Sequence, residues 1–266
     1  TPMVIWLAKL LESKGYKPGI VSRGYGGSSP KNPIIVSDNT SVKISGDEPL
    51  IIHKNTLRPV CISSNRISAV RKLLQDTDTN IVISDDGLQH YKMDRDLEIV
   101  IFDGNRGVGN GLCLPAGPLR EPLDRIEYAD FIVSSSKIID LKTKHHKYLM
   151  NYLPIEWARI SDNKRFKADS WPLSKNVHAV AGIGNPAKFY KTLSGLGLNP
   201  IHHSFPDHYQ FSEEDLDFND NLPIIMTEKD AVRCLEMKNK NLWYLSIEAN
   251  FEETELAEKI LTKIAN

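Results

Sequence analysis

Little in the sequence announces a special compartment or scaffold. Of its 266 residues only three are cysteines, Cys61, Cys113 and Cys234, and no two form a C-x-x-C pair. That argues against a disulfide framework or a thiolate zinc site and points to the reduced thiols of a cytosolic protein. No apolar run approaches the ~18 residues of a membrane span, and nothing resembles a signal peptide. The formal net charge is −1, so no broad attraction to nucleic acid is expected. The eight histidines show no metal-ligand spacing, and internal repeats and low-complexity tracts are missing. What remains is 41% apolar and 25% charged. That is the balance of a globular protein with a core, long enough for one large α/β domain or two ordinary ones.

Apolar runs alternate with amphipathic stretches, as in doubly wound α/β folds. Val4, Ile5, Leu7, Ala8 and Leu11 have helical spacing, with Gly15 as the stop. Ile20-Val21-Ser22 reads as a buried strand, residues 47–54 as a helix, and residues 65–75 as a helix capped by Asn65. Ile81-Val82-Ile83 and residues 97–102 read as strands, and a Gly/Pro-rich loop then runs to Pro122. Periodicity fades over residues 141–162, which places a domain boundary there, at 152/153. A second alternation follows, with strands at 177–181, 200–205, 222–226 and 242–247 and helices at 186–196 and 252–264.

Several segments invite a chemical reading beside a plain one. Ile81 to Ile83 lead into Ser84-Asp85-Asp86-Gly87, the acid-tipped strand with which P-loop proteins hold Mg²⁺, or simply a turn. Thr1 stands directly before a helical pattern, as the last hydroxyl of a phosphate loop does, or as an ordinary N-cap. Ser22-Arg23-Gly24-Tyr25-Gly26-Gly27 offers an arginine for phosphate and glycines for close backbone approach, or a structural turn. Asp47 in Gly46-Asp47-Glu48-Pro49 could cap a helix. Arg120 and Glu121 sit on a stiff loop where they could also be a solvated ion pair. Thr227-Glu228-Lys229-Asp230 superficially looks like a guanine-reading loop but lacks the residue between Lys and Asp. Residues 142–153 mix four basic or titratable side chains with apolar ones, and could dock on anionic lipid or be a linker.

Taken in order, S-R-G-Y-G-G (22–27), G-D-E-P (46–49), D-D-G-L-Q-H (85–90), G-N-G (109–111), L-P-A-G-P-L-R-E (114–121), A-G-I-G-N-P (181–186) and M-T-E-K-D-A (226–231) resemble the tetraacyldisaccharide 4′-kinase family of lipid A biosynthesis. The resemblance implies a P-loop NTPase-like (RecA-like) α/β domain with a mainly parallel sheet at 1–152, and a smaller α/β domain at 153–266 closing the active-site cleft. It implies ATP and Mg²⁺ as cofactors and phosphoryl transfer to the 4′-hydroxyl of a tetraacylated glucosamine disaccharide 1-phosphate. It implies a peripheral enzyme on the cytoplasmic face of the bacterial inner membrane, with neither nucleic acid nor an obligate protein partner. Carried over by motif, Asp47 is the base, assisted by His208 of Phe205-Pro206-Asp207-His208. Thr1 and Asp85 hold the metal, with Glu48 and Asp86 close to it. Arg23, Tyr25, Gln89, His90, Arg120 and Glu121 contact substrate. The family's phosphate loop reads G-G-x-G-K-T-P after an apolar helix, and this sequence opens at the Thr-Pro. The loop's glycines and lysine are thus expected upstream of Thr1, and a chain without them is expected to phosphorylate poorly. Two other readings stay open: a P-loop kinase for a soluble sugar or cofactor precursor, and a nucleotide-dependent switch.

Overall fold

Pro2 presets the first turn and an apolar stripe follows, so the first element is helix α1 (Pro2–Ser13), which buries Met3, Val4, Ile5, Ala8 and Leu11. The computed structural model describes residues 1–28, 30–237 and 239–265. After α1 come β1 (Pro18–Ser22), β2 (Ile34–Ile35), α2 (Val42–Ser45), α3 (Asp47–Thr56), β3 (Val60–Ile62), α4 (Arg66–Asp76) and β4 (Ile81–Ser84). The chain continues through β5 (Ile99–Asp103), β6 (Phe131–Ser135), β7 (Lys147–Arg159), β8 (Arg165–Lys167) and β9 (Asn176–Ala181). It ends with α5 (Pro186–Gly195), β10 (Asn199–Ser204), β11 (Ile224–Thr227), α6 (Glu228–Ala231), β12 (Leu242–Phe251) and α7 (Glu255–Ala265). Asn65 caps α4 as its sequence implies: its side chain accepts from the Ser68 amide at 3.2 Å.

The elements pack into two compact units. One comprises Thr1–Asp86 with Pro154–Glu248, the other Gly87–Leu153 with Ala249–Asn266. In the first unit β1 lies between β3 and β4, parallel to both, with β2 antiparallel beyond β3. β1 is buried at every residue, as a central parallel strand covered on both faces must be. The same unit holds the parallel series β10, β9, β11, β12. Trp157, Val177, Leu193, Ile225 and Trp243 belong to one of its apolar clusters. In the second unit β5, β6 and the start of β7 are parallel, over a core of Ile126, Ile132, Ile139 and Leu141.

Within residues 142–153, those from Lys147 on are strand rather than loop. Lys147 begins the thirteen-residue strand β7, which pairs with β6 from Ile132↔Lys147 to Ser135↔Met150. The fading periodicity is that of a strand covered unevenly along its length. The chain passes between units at Leu153/Pro154, beside the sequence boundary. It also passes at Asp86/Gly87 and Glu248/Ala249, which have no counterpart in a linear division at 152/153.

Candidate active site

Parallel pairing of β1 and β4, with Val21 opposite Ser84, brings the residues after both strands to one carboxyl edge. Arg23 and Asp85 therefore share that edge, where open parallel sheets bind ligands. Asp85 is buried. Burial pushes its carboxyl above the ordinary range, and the Glu48 and Asp86 carboxylates add to the shift. The backbone nitrogen of Thr1 is 3.9 Å from Asp85 Oδ1, so the N-terminus of α1 meets the tip of β4. Beneath them Arg66 donates from Nη2 to the Asp85 carbonyl at 2.8 Å. Burial pulls the Arg66 guanidinium down to about 10, against the pull of Asp85 and Asp86.

These oxygens suit a hard divalent cation. Glu48 and Asp86 both raise the Asp85 carboxyl, beside a helix N-terminus carrying a hydroxyl residue, and a cation at Asp85 would relieve that repulsion. Among the described residues no three His, Cys, Asp or Glu side chains cluster as a closed metal cage. An ion that is shared with a bound ligand needs only one or two protein oxygens.

Asp47 does not cap its helix. Gly46 is the N-cap of α3 and makes no side-chain cap bond, while the Asp47 side chain turns away toward His208 and Arg233. His208 Nδ1 is 2.9 Å from Asp47 Oδ2. Arg233 donates from Nε to Asp47 Oδ1 at 2.9 Å and from Nη2 to Oδ2. The Arg233 side chain is fully covered and that of Asp47 is 4% exposed, so this is an enclosed ion pair. Burial opposes the Arg233 charge, and the hydrogen bonds and attraction of Asp47 overcome it, raising the guanidinium above its usual value. Lys229 Nζ lies 3.4 Å from His208 Nε2 and 3.7 Å from both Glu48 Oε1 and Asp207 Oδ1.

His208 holds φ +60°, a conformation that a non-glycine residue keeps only when its surroundings fix it. Tyr25 packs edge-on against its ring at 5.5 Å between centroids. The glycines of the two motifs have steric reasons to be there. Gly46 sits at φ +76°, and a Cβ there would run into the carbonyl oxygen of Tyr25. A Cβ on Gly26 would press on His208 Nδ1 at 3.2 Å.

Of the residues named from the sequence, Thr1, Arg23, Tyr25, Asp47, Glu48, Asp85, Asp86 and His208 thus lie in the first unit. Gln89, His90, Arg120 and Glu121 lie in the second. There Gln89 Nε2 donates to Glu121 Oε1 at 2.6 Å, the His90 amide donates to the Gly87 carbonyl at 3.0 Å, and Arg120 is exposed. Sequence reasoning missed Arg66, Lys229 and Arg233. Lys229 was in view within the guanine-loop look-alike. The only local sign of Arg233 is its position three residues after Asp230, on the same face of a helical turn.

An acid-tipped parallel strand beside a helix N-terminus, with a carboxylate–imidazole pair in the same unit, defines a class: an α/β phosphotransferase of the P-loop type. The chain belongs, within it, to the tetraacyldisaccharide-1-P 4′-kinase family, whose model matches residues 1–265. The tetraacyldisaccharide 4′-kinase of Hahella chejuensis is 43% identical over 249 residues, 94% of this chain and 72% of that protein. That of Legionella pneumophila (strain Lens) is 46% identical over 254 residues, 96% of this chain and 76% of that protein. The crystal structure of LpxK from Aquifex aeolicus in complex with ATP is similar with a TM-score of 0.82 at 29% identity, covering 98% of this chain and 83% of that one.

Proposed function

We propose that this chain moves the γ-phosphoryl group of ATP to the 4′-hydroxyl of a tetraacylated glucosamine disaccharide 1-phosphate, a lipid A precursor, the reaction for which its family is named. The observation that best supports this is the meeting of Asp47 and His208 at 2.9 Å across 161 residues of sequence. Two residues picked from separate motifs for one chemical task have no local reason to touch.

In this reading the acceptor oxygen bonds to the γ-phosphorus while the bond to the β,γ-bridging oxygen breaks, and ADP leaves. Asp47 takes the hydroxyl proton, and His208 orients the carboxylate and shares the proton. Arg23, Tyr25, Gln89, His90, Arg120 and Glu121 contact the substrates. Positioning and charge neutralisation dominate phosphoryl transfer, so a site built mainly of carboxylates calls for cations. Thr1 and Asp85, with Glu48 and Asp86 close by, would hold Mg²⁺, which would supply that neutralisation. Residues 1–152 carry the nucleotide side of the site, and residues 153–266 contribute His208. Because the acceptor is a lipid, we place the enzyme peripherally on the cytoplasmic face of the inner membrane. Among the described residues no helix is long and apolar enough to cross a membrane.

The test is transfer of label from γ-labelled ATP to the acylated disaccharide 1-phosphate. Label at the 4′ position, dependent on Mg²⁺ and lost with Asp47→Asn, is expected. Equal labelling of a deacylated sugar would favour a kinase for soluble substrates, and ATP hydrolysis without transfer would refute the kinase reading.

A further inference from the structure

We propose that Arg233 is the positioning residue of the Asp47–His208 pair: it fixes which carboxylate oxygen faces the imidazole, and so which way His208 presents its other nitrogen. This rests on the reading of Asp47 and His208 given under Proposed function.

A carboxylate at a helix start is free to turn about its Cβ–Cγ bond unless something holds both oxygens. Arg233 does so with a fork, Nε to Oδ1 at 2.9 Å and Nη2 to Oδ2. Oδ2, pinned by the fork, is also the oxygen that meets His208 Nδ1 at 2.9 Å. Held as an anion by a guanidinium, Asp47 is an acceptor only. In its pairing with Oδ2, His208 Nδ1 is the donor, with Arg233 Nη2 also 3.4 Å from it, and Nε2 faces Lys229 at 3.4 Å. The direction in which the imidazole is held is thus set through Asp47, by Arg233.

The guanidinium is itself held. Nη1 donates to Asp230 Oδ1 at 3.1 Å and to the Tyr209 carbonyl at 3.3 Å. Asp230 in turn accepts from the Gly182 amide at 3.1 Å and the Thr227 hydroxyl at 2.6 Å, locking it to the ends of β9 and β11. A chain of fixed partners therefore runs from two central strands through Asp230 and Arg233 to Asp47. A lysine could supply the charge at this place but not the planar fork.

The experiment compares Arg233→Ala, Arg233→Lys, Asp47→Asn and the Arg233→Ala/Asp47→Asn double variant in the labelling assay, with thermal melts of each. Misplacing a reacting group by about 1 Å can cost ~10²-fold. Arg233→Ala is therefore expected to lose about that factor in kcat, with KM for ATP within about twofold. Arg233→Lys should recover only a small part, and added guanidinium or ethylguanidinium should restore kcat to Arg233→Ala alone. Because Arg233 acts through Asp47, the double variant should be no slower than Asp47→Asn. If Arg233→Ala does not fold, Arg233→Lys and its double variant with Asp47→Asn provide the same comparison. A folded Arg233 variant with near-normal kcat, or losses that multiply in the double variant, overturns the positioning role while a slow Asp47→Asn keeps the base. A normal kcat for Asp47→Asn overturns both.

Discussion

Each of the two units holds a network of arginines and carboxylates, and the two are built on opposite plans. In the first unit Asp47 has one arginine partner, Arg233, whose side chain is fully enclosed and whose other contacts are also fixed. In the second, Glu98 is shared by two arginines: Arg125 Nη2 meets both of its oxygens at 2.6 Å, and Arg95 Nε lies 2.5 Å from Oε1. Both arginines keep 23% side-chain exposure, and Arg125 also reaches Glu121 at 3.4 Å. The enclosed network admits one arrangement and suits a group whose direction matters. The shared one leaves Glu98 a second arginine when one of the two is removed.

The contrast is broken most directly at its centre. His208→Ala and Asp47→Asn should each lower kcat by about 10²- to 10⁴-fold, the usual worth of acid–base help. Asp47→Asn should also melt earlier, by about 2 kcal/mol, because the buried guanidinium loses a charged acceptor. A helix-capping aspartate replaced by asparagine would keep its stability, so calorimetry separates the two roles.

In the second unit the single changes Arg95→Ala and Arg125→Ala should each cost about 1 kcal/mol, since the remaining arginine still covers Glu98. The double change should cost clearly more than their sum, because Glu98 is buried and would then be unpaired. Additive losses in chemical denaturation would show that the arginines do not substitute for one another.

A smaller effect belongs to the histidines of β9 and β10. His178 Nε2 pairs with Asp220 Oδ2 at 3.0 Å and its Nδ1 with His203 Nε2 at 2.9 Å. Burial, with His178 and His202 nearby, holds His203 below its ordinary 6.5. Between the folded and unfolded values the unfolded chain binds more protons, so stability should fall as pH drops below about 6.5. A melting temperature that declines from pH 7.5 to 5.5, and declines less in His203→Asn, is expected. The smallest effect should come from the exposed pair Lys72–Asp76 on α4, at 2.6 Å. Lys72→Ala should leave the melting temperature unchanged within error.

Much of this was legible in the chain itself. The strands β1, β4, β9 and β11 are short apolar runs, and such runs read as buried parallel strands because both faces are covered. The Asn65 cap is a local bond between a side chain and an amide three residues on, so sequence spacing alone fixes it. The motifs led to Asp85 and Thr1 and to Asp47 and His208, both of which meet in the fold. Strand β7 escaped because the more exposed positions of its alternation carry apolar residues too, Leu149, Leu153 and Ile155 among them, so the sequence shows no polar–apolar alternation. Arg233 escaped because it looks like any arginine near a helix end.

By itself, then, the sequence determined the α/β alternation, the acid-tipped strand and the motifs that mark the family, all of which depend on neighbours within a few residues. Only the tertiary structure decided that Arg233 grips Asp47 from 186 residues away, that Asp230 stands behind it, and that the chain returns to the first unit after leaving it at Asp86. Local propensity and spacing act over a turn or a strand. The pairing of a buried charge is settled only when packing removes water and leaves it the few partners packed around it.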